Sequence, residues 1–324
     1  MISKWKKVAA ASLTGLLLGV SAAWAQTYPV KPVRLIVPFP PGGGGDSVGR
    51  LLGIKMSERL GKPVVIENLA GASGTIGIGA LARSAPDGYS MGLITATMPV
   101  SDAVGGNKFD LVKDLDGVVM LAAAPMLITI NSAAPDTNLK DFIARAKAHP
   151  GKLNFGSTGM GGISHLTGEL FKLRTGIDMV HVPYAGGGPL LLALLSGQVD
   201  VAFSDAPPVL PHLKAGKTRV LAVSSATRSP SLSAVPSALE AGDIKDFETS
   251  AWYGIVVPAG TPKDIITRLN ADFNAVLALP DIKEAFKVMA LDILGGKPEA
   301  VTELTKREVA EWKVVVKKVA LTKE

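Results

Sequence analysis

The chain has no cysteine, and this absence excludes disulfide bonds, thiol chemistry and a lipid-modified cysteine anchor. It also has little charge: charged residues make up 19% of the sequence against 47% hydrophobic residues, which is the composition of a globular protein. The formal net charge is +6, and Lys4, Lys6 and Lys7 account for three of these charges. Because little positive charge remains for the rest of the chain, we expect no nucleic-acid partner.

The usual residues of metal and catalytic sites are missing as well. Of the four histidines, none forms an H-x-x-x-H pair beside a carboxylate, so we expect no metal and no cofactor. A hydrolase that uses Ser73 or Ser157 is the enzymatic alternative. However, neither GASG at residues 71–74 nor GSTG at residues 156–159 has the G-x-S-x-G spacing of a nucleophile elbow. No paired carboxylates accompany these loops, so the sequence favours a binding protein over an enzyme.

After the first 25 residues, no apolar run approaches the roughly 20 residues that a membrane-spanning helix needs. The first residues combine a basic start, an apolar run over residues 8–20 and the small-residue motif Ala23-Trp24-Ala25, a pattern typical of a secretory signal peptide. An uncleaved membrane anchor is the alternative. We predict a signal peptide over residues 1–25, cleavage after Ala25 and a periplasmic protein.

One stretch, RLIVPFPPGGGGDSVGRLLG at residues 34–53, combines a strand, a turn and the start of a helix. Its apolar opening predicts a strand buried in a parallel sheet, and prolines end that strand. Glycines at residues 42–45 leave main-chain N–H groups open to a ligand, and Asp46 is predicted to cap a helix that begins at Ser47. This geometry favours an anion site, with an ordinary capped turn as the alternative. Neither a P-loop nor a G-x-G-x-x-G pattern is present, which disfavours a nucleotide.

The same order of strand, glycine-rich loop and helix returns in GSTGMGG at residues 156–162 and in PYAGGGP at residues 183–189. Alternation of strands and helices at this spacing predicts an α/β fold with a largely parallel sheet. The apolar run at residues 126–130 has no helix before it, and we interpret it as a passage between domains.

Several sequence blocks resemble the extracytoplasmic solute receptors of tripartite tricarboxylate transporters, the Bordetella uptake gene (Bug/TctC) family. They include YPVKPVRLIVPFPPGGGGD, APDGY, PGKLNFGSTGMGGISHLTGELF, VHVPYAGGGP and AWYGIVVPAGTP, in this order. The resemblance implies a type II periplasmic binding protein of two α/β domains, with a ligand cleft between them and two crossover segments. Domain 1 would comprise residues 27–124 plus 251–324, and domain 2 residues 125–250.

The resemblance also implies a set of ligand-binding residues in the glycine loops and at the strand ends. Mapped onto this sequence, they are Phe39, Pro40, Gly42, Gly43, Gly44, Asp46, Ser73, Gly74, Thr95, Thr97, Ser157, Thr158, Gly159, His165, Tyr184, Gly186, Gly187 and Asp205. The chain departs from the family pattern at Ala185 and at residues 68–70, which bears on the identity of the ligand and not on the fold.

The function that the resemblance implies is that of a monomeric receptor. It would bind a small carboxylate, such as a di- or tricarboxylate, an aromatic carboxylate or an acidic amino acid, and deliver it to the membrane subunits of the transporter. A receptor that serves a sensor kinase has the same sequence features and stays open as an alternative.

Three side chains keep two interpretations each. Asp46 either contacts the ligand or caps its helix, His165 either donates to the ligand or bonds the backbone, and Tyr184 either forms a cleft wall or packs in the core. The cleft loops contain no Lys or Arg, and the nearest cation, Arg50, is spaced to pair with Asp46. We therefore predict that loop N–H groups, helix N-termini and water hold the ligand carboxylate, rather than an ion pair.

Overall fold

The computed structural model describes residues 28–105 and 108–318, which form two β-sheets with helices around them. The predicted signal peptide and its cleavage site lie outside these residues. Within the described part of the chain, no helix is both long enough and apolar enough to span a bilayer.

Eleven strands are assigned in the described residues. They are β1 (Val33–Val37), β2 (Val64–Asn68), β3 (Ser90–Thr95), β4 (Leu115–Pro125), β5 (Leu127–Asn131), β6 (Leu153–Ser157), β7 (Met179–Pro183), β8 (Val201–Ser204), β9 (Thr218–Val223), β10 (Ser250–Pro258) and β11 (Asp292–Ile293). The first sheet has the order β11-β4-β10-β3-β1-β2, and the second has the order β7-β6-β8-β5-β9. The chain therefore passes between the sheets twice, from β4 to β5 and from β9 to β10.

Both sheets are mixed, so the prediction of a largely parallel sheet holds only in part. In the first sheet β1 is parallel to β2 and β3, whereas β10 is antiparallel to β3 and β4. In the second sheet β6 is parallel to β7 and β8, whereas β5 is antiparallel to β8 and β9. Only one residue, Met126, separates β4 from β5, so the chain enters the second sheet without the long crossover that a parallel connection needs.

Eleven helices accompany these strands in the described residues. They are α1 (Gly44–Leu60), α2 (Thr75–Ala82), α3 (Thr97–Val104), α4 (Leu139–Ala148), α5 (Ile163–Thr175), α6 (Gly187–Leu195), α7 (Ala206–Lys214), α8 (Ala238–Gly242), α9 (Lys263–Leu277), α10 (Pro280–Val288) and α11 (Glu299–Lys318). Pro280 opens α10 at the first helical position, where its missing N–H costs nothing.

Large aromatic side chains fill the core of the second sheet. Phe142, Phe155, Phe171 and Phe203 are all fully buried, and the ring centroid of Phe171 lies 5.4 Å from that of Phe203. In the first sheet, Val33, Leu35, Ile36 and Val37 of β1 are at most 1% exposed, as expected of a strand covered on both faces. The described residues from Lys31 onward form one compact unit, so the division into two domains stays a prediction.

Candidate functional site

Five helix N-termini meet around one small cavity, which we call the inner cavity. It offers about 50 Å³ of space for water-sized groups. Its lining comes from Phe39, Gly43, Gly44, Gly45, Thr95, Ala96, Thr97, Met126, Thr158, Ile163, Gly186, Gly187, Asp205, Ala251, Trp252 and Tyr253. These residues include the start or the N-cap of α1, α3, α5, α6 and α7, so the positive ends of five helix dipoles are directed at the same space.

The helices at the inner cavity begin without side-chain caps. The N-cap residues of α1, α5 and α6 are Gly43, Gly162 and Gly186, which have no side chain to accept a hydrogen bond from the first turn. Neither Ala96 before α3 nor Asp205 before α7 provides such a bond. Because the first N–H groups of a helix have no partner inside the helix, those of α1 and α5 are available to an anion. The other three helices offer fewer donors, because Pro99, Pro189, Pro207 and Pro208 have no N–H and the N–H of Thr97 is donated to Oγ1 of Thr95.

A second cavity, the outer cavity, adjoins the inner one and shares Phe39 and Thr158 with it. It has a volume of about 350 Å³. The residues around it are Phe39, Pro40, Ala70, Gly71, Ala72, Ser73, Gly74, Thr158, Gly159, Met160, Pro183, Tyr184 and Ala185. Together the two cavities offer a small compartment at the helix N-termini and a larger compartment with mostly small and apolar walls.

The electrostatics of the two cavities depend on neutral donors and one carboxyl group. Among the described residues that line them there is no Lys, Arg or His, and Asp205 is the only carboxylic acid. The phenol of Tyr253 donates a hydrogen bond to Oδ2 of Asp205. Burial raises the pKa of the Asp205 carboxyl, and the hydrogen bond from Tyr253 opposes this effect. Burial also raises the pKa of Tyr253 well above its usual range, and the neighbouring Asp205 adds to the shift.

Residues that follow strands of the two sheets contact each other directly at the cavities. The Asp205–Tyr253 bond joins the end of β8 in the second sheet to β10 in the first. Ser73, in a short 3-10 turn before α2, donates its hydroxyl to the carbonyl oxygen of Met160 at 2.5 Å. A Cβ atom on Gly44 would lie 1.8 Å from Oδ2 of Asp205, so only glycine allows this approach. These contacts connect the residues that the two sheets contribute to the cavities.

The prediction that Asp46 caps a helix beginning at Ser47 was wrong. The helix begins two residues before Asp46, at Gly44, and the carboxylate instead reaches back to accept the N–H of Gly42 at 3.0 Å. Arg50 Nε and Asn68 Nδ2 also donate to it at 3.0 Å each, so the predicted Arg50–Asp46 pair is present. Burial by itself raises the pKa of Asp46, but these hydrogen bonds outweigh it and hold the pKa below its usual value. Asp46 thus fixes the shape of the glycine loop from behind.

His165 and His181 form a stacked pair behind the loop at residues 157–162. Their ring centroids are 3.6 Å apart, and the rings are nearly parallel at 10°. Nδ1 of His165 accepts the N–H of Gly161 at 3.1 Å, which is the backbone bond that sequence analysis kept as an alternative. Nε2 of His181 lies 2.7 Å from Oγ of Ser157, which also bonds the backbone of Gly159.

Both histidines are held in the neutral form by their surroundings. Burial, the nearby His181 and Lys172 together lower the pKa of His165 to about 3, and burial has the largest effect. Burial and then Lys172 lower the pKa of His181 to about 4. Two stacked imidazoles therefore act here as uncharged hydrogen-bonding groups that shape the loop.

Most of the residues that sequence analysis selected line one of the two cavities. They are Phe39, Pro40, Gly43, Gly44, Ser73, Gly74, Thr95, Thr97, Thr158, Gly159, Tyr184, Gly186, Gly187 and Asp205. Four others, Gly42, Asp46, Ser157 and His165, are not part of either lining. Ligand contact by the whole set stays a prediction. Tyr184 is half-buried: it lines the outer cavity and also packs against the apolar cluster around Leu190, so both of its interpretations stay open.

Sequence analysis missed Met126, Ile163, Trp252 and Tyr253 in the inner cavity. Tyr253 is the most consequential of them because it bonds Asp205. It was detectable in principle: a tyrosine inside the apolar strand AWYGIVVP needs a partner for its hydroxyl. The preceding residue, Trp252, donates its Nε1–H to Oε2 of Glu308 in α11 at 2.9 Å.

The arrangement is that of a solute-binding receptor: two α/β sheets, two passages of the chain between them, and a cavity at helix N-termini. Within residues 28–105 and 108–318, no group of three or more His, Asp or Glu side chains is placed to hold a metal ion. Residues 48–321 match the family model described as tripartite tricarboxylate transporter family receptor. The chain belongs to this family, which includes the Bug proteins.

Three similar proteins illustrate the relationship. Protein BugT of Bordetella pertussis is 37% identical over 298 residues, which is 90% of each chain. The structure of Rpa4515 from R. palustris with adipate has a TM-score of 0.87 and 33% identity, covering 91% of this chain and 99% of the other. MatC (Rpa3494) from Rhodopseudomonas palustris with bound malate has a TM-score of 0.84 and 31% identity, covering 89% of this chain and 100% of the other.

Proposed function

We propose that this protein is an extracytoplasmic receptor that binds a small carboxylate at the inner cavity and delivers it to the membrane subunits of a tripartite tricarboxylate transporter. The observation that carries the proposal is the convergence of five helix N-termini without side-chain caps on a space that has no Lys, Arg or His in its described lining. The carboxylates in the similar structures, adipate and malate, support the ligand class.

The carboxylate would be held by neutral donors. N–H groups at Gly44, Gly45 and Gly187 are positioned as helix N-terminal donors, and Thr95 and Thr158 contribute hydroxyls to the same space. Fixed dipoles stabilise an anion without the strong pairwise attraction of a buried ion pair, in which removal of one partner is costly. This arrangement suits a receptor that must release its ligand. The rest of the ligand would extend past Phe39 and Thr158 into the outer cavity.

Gly42, Asp46, Ser157 and His165 would support the site from behind rather than contact the ligand. Asp46 holds the first glycine loop, and Ser157 and His165 hold the loop at residues 157–162. Ser157 with His181 has the spacing of a nucleophile and its base, but Ser157 is fully buried and lies outside both linings. A substrate would have no approach to Ser157 Oγ, and we infer that the protein binds its solute without chemical change.

We further infer export to the periplasm with cleavage after Ala25, action as a monomer, and two domains formed by residues 27–124 plus 251–324 and by residues 125–250. The motif Ala23-Trp24-Ala25 motivates the cleavage site. Intact-mass measurement of the exported protein should give a chain that begins at Gln26. A retained Met1 would contradict this prediction.

Binding can be tested by thermal unfolding of ligand-stripped protein with a panel of small carboxylates. A ligand at about 100 times its dissociation constant should raise the free energy of unfolding by about 2.7 kcal/mol. Nuclear magnetic resonance of the ligand after incubation checks that it is unchanged. The proposal fails if no carboxylate of the panel stabilises the protein, or if a bound carboxylate is converted to a product.

A further inference from the structure

The indole of Trp252 lines the inner cavity and is bonded from behind by a carboxylate of the C-terminal helix. Trp252 is only 2% exposed, and its Nε1–H lies 3.0 Å from Oε1 and 2.9 Å from Oε2 of Glu308. Glu308 itself is not part of the lining of either cavity. The ring of Trp252 therefore connects the wall of the cavity to a residue that lies behind it.

Glu308 is a half-buried carboxylate that no cation pairs. Among the described residues it takes part in no salt bridge, and the neighbouring Arg307 approaches Glu311 instead, at 3.9 Å. Its second partner is another indole, that of Trp312, which donates to Oε2 at 3.4 Å from one turn further along α11. Burial raises the pKa of Glu308, and the hydrogen bonds from the two indoles oppose this effect. Because desolvation of an unpaired carboxylate is unfavourable, the indole N–H groups are its main stabilising partners.

The bond is equally important for Trp252. Without Glu308, the indole N–H would be buried with no other acceptor among the described residues, which favours a different orientation of the ring. The carbonyl oxygen of Trp252 also accepts the N–H of Ala96, the N-cap residue of α3, at 3.2 Å. A shift of Trp252 therefore changes both a wall of the inner cavity and one of the helix N-termini around it.

The C-terminal helix α11 is packed firmly enough to serve as the support of this ring. Val301 and Val309 of α11 are at most 9% exposed and belong to the same apolar cluster as Trp252. The helix also contacts α3, which begins at the cavity, and the strand β4 beside β10. The carboxylate of Glu308 is therefore an acceptor at a fixed place relative to the first sheet.

We propose that Glu308 is a positioning residue of the ligand site: by accepting the indole N–H of Trp252, it holds the ring in place as a wall of the inner cavity. The C-terminal helix then contributes to ligand affinity, although none of its described residues lines either cavity. The proposal rests on the proposed receptor function and adds a residue on which the affinity depends. It also makes Trp252 an optical reporter, since a chain that begins at Gln26 contains only Trp252 and Trp312 as tryptophans.

The first test is calorimetric titration of the exported protein with malate, adipate and benzoate from the carboxylate panel. Glu308→Leu removes the acceptor at similar size and should weaken the binding of a probe by at least about fivefold, the scale of one net hydrogen bond. Glu308→Gln keeps an acceptor oxygen and should retain the wild-type affinity within about twofold. Glu303→Leu is the matched control, because it makes the same change at an exposed position of the same helix and should leave the affinity unchanged.

A double-mutant cycle shows whether the effect passes through the indole. In Trp252→Phe the indole N–H is absent, so the addition of Glu308→Leu should change the affinity by less than about twofold. An equal loss of affinity in both backgrounds would mean that Glu308 acts independently of Trp252, and this would overturn the proposal.

A spectroscopic test needs no ligand. In Trp312→Phe, the single tryptophan of the exported chain is Trp252. Adding Glu308→Leu should raise the acrylamide quenching constant of its fluorescence by at least about twofold, because the ring loses the bond that orders it, whereas adding Glu308→Gln should not. If Glu308→Leu does not fold, Glu308→Asp replaces it in every test, since it withdraws the acceptor by one methylene and keeps the charge. An unchanged quenching constant in the variant that folds overturns the proposal.

The outcomes separate this inference from the proposed function. If no carboxylate of the panel binds to the wild-type protein, the receptor function is wrong and the inference about affinity falls with it. If a carboxylate binds and Glu308→Leu retains the wild-type affinity, the receptor function stands and the role of Glu308 is overturned.

Discussion

Acidification should destabilise this protein through the stacked pair His165 and His181. Burial lowers the pKa of His165 to about 3 and that of His181 to about 4, from an ordinary value of 6.5 in the unfolded chain. Between pH 6.5 and about pH 4, the two histidines are protonated in the unfolded chain but stay neutral in the folded protein. The free energy of unfolding is therefore not reduced by these two histidines above pH 6.5, and it decreases as the pH falls below that value.

The size of the loss follows from these pKa values. When the pH falls from 7.5 to 5.5, each unfolded imidazole gains most of a proton while the folded one stays neutral, which costs about 1.4 kcal/mol. The pair therefore costs about 3 kcal/mol, a large part of the stability of an ordinary domain. Burial raises the pKa of Asp205 and of Glu308, and such carboxyls act in the opposite direction. The effect of the histidines must therefore be measured by difference.

The measurement is urea unfolding at pH 7.5, 6.5 and 5.5 of the wild-type protein and of the double variant His165→Asn/His181→Gln. Asparagine retains an acceptor for the Gly161 N–H, and glutamine retains a polar group near Ser157. The free energy of unfolding of the wild-type protein should fall by about 3 kcal/mol more than that of the variant over this range.

A control separates proton linkage from ordinary destabilisation. Leu139→Ala, at a fully buried position in the same core, should lower the free energy of unfolding by about 2–5 kcal/mol at every pH without changing its pH dependence. The reasoning is refuted if the wild-type protein and the double histidine variant differ in pH dependence by less than about 1 kcal/mol, which is within the uncertainty of the extrapolation.

Three further predictions concern the loops and the core. Gly159→Val forces a φ of +147° on a β-branched residue and places its Cβ 2.8 Å from Ser73 Oγ, so calorimetry should show loss of carboxylate binding in a folded protein; unchanged affinity would contradict this. Arg50→Ala leaves the buried Asp46 carboxylate with fewer donors and should lower the free energy of unfolding in urea while changing ligand affinity less than tenfold; a larger loss of affinity would indicate a direct ion pair with the ligand. Phe142→Ala empties a fully buried position and should cost about 3–5 kcal/mol, and a loss below about 2 kcal/mol would show that the core can collapse around it.

The strand, glycine loop and helix order was predictable because its signals are local. A β-branched run, prolines and consecutive glycines impose their backbone preferences on neighbouring residues whatever the rest of the chain does. The same local signals located the loops at residues 156–162 and 183–189, and 14 of the selected residues line the cavities. They gave a wrong helix start, Ser47 instead of Gly44, because a glycine run can enter a helix without a side-chain cap and composition does not show where it does so.

The amino-acid sequence by itself determined the α/β class, the positions of the glycine loops and the lack of cations in them, since these are properties of residue type and short-range order. Only the tertiary structure decided which residues face the ligand space. The bond between Tyr253 and Asp205 joins residues that are 48 positions apart, and it exists because β10 lies antiparallel between β3 and β4. The neutral histidine pair likewise depends on desolvation by surrounding side chains, which no single segment contains. Burial and long-range pairing depend on segments that are distant in the sequence, so a local sequence pattern does not predict them.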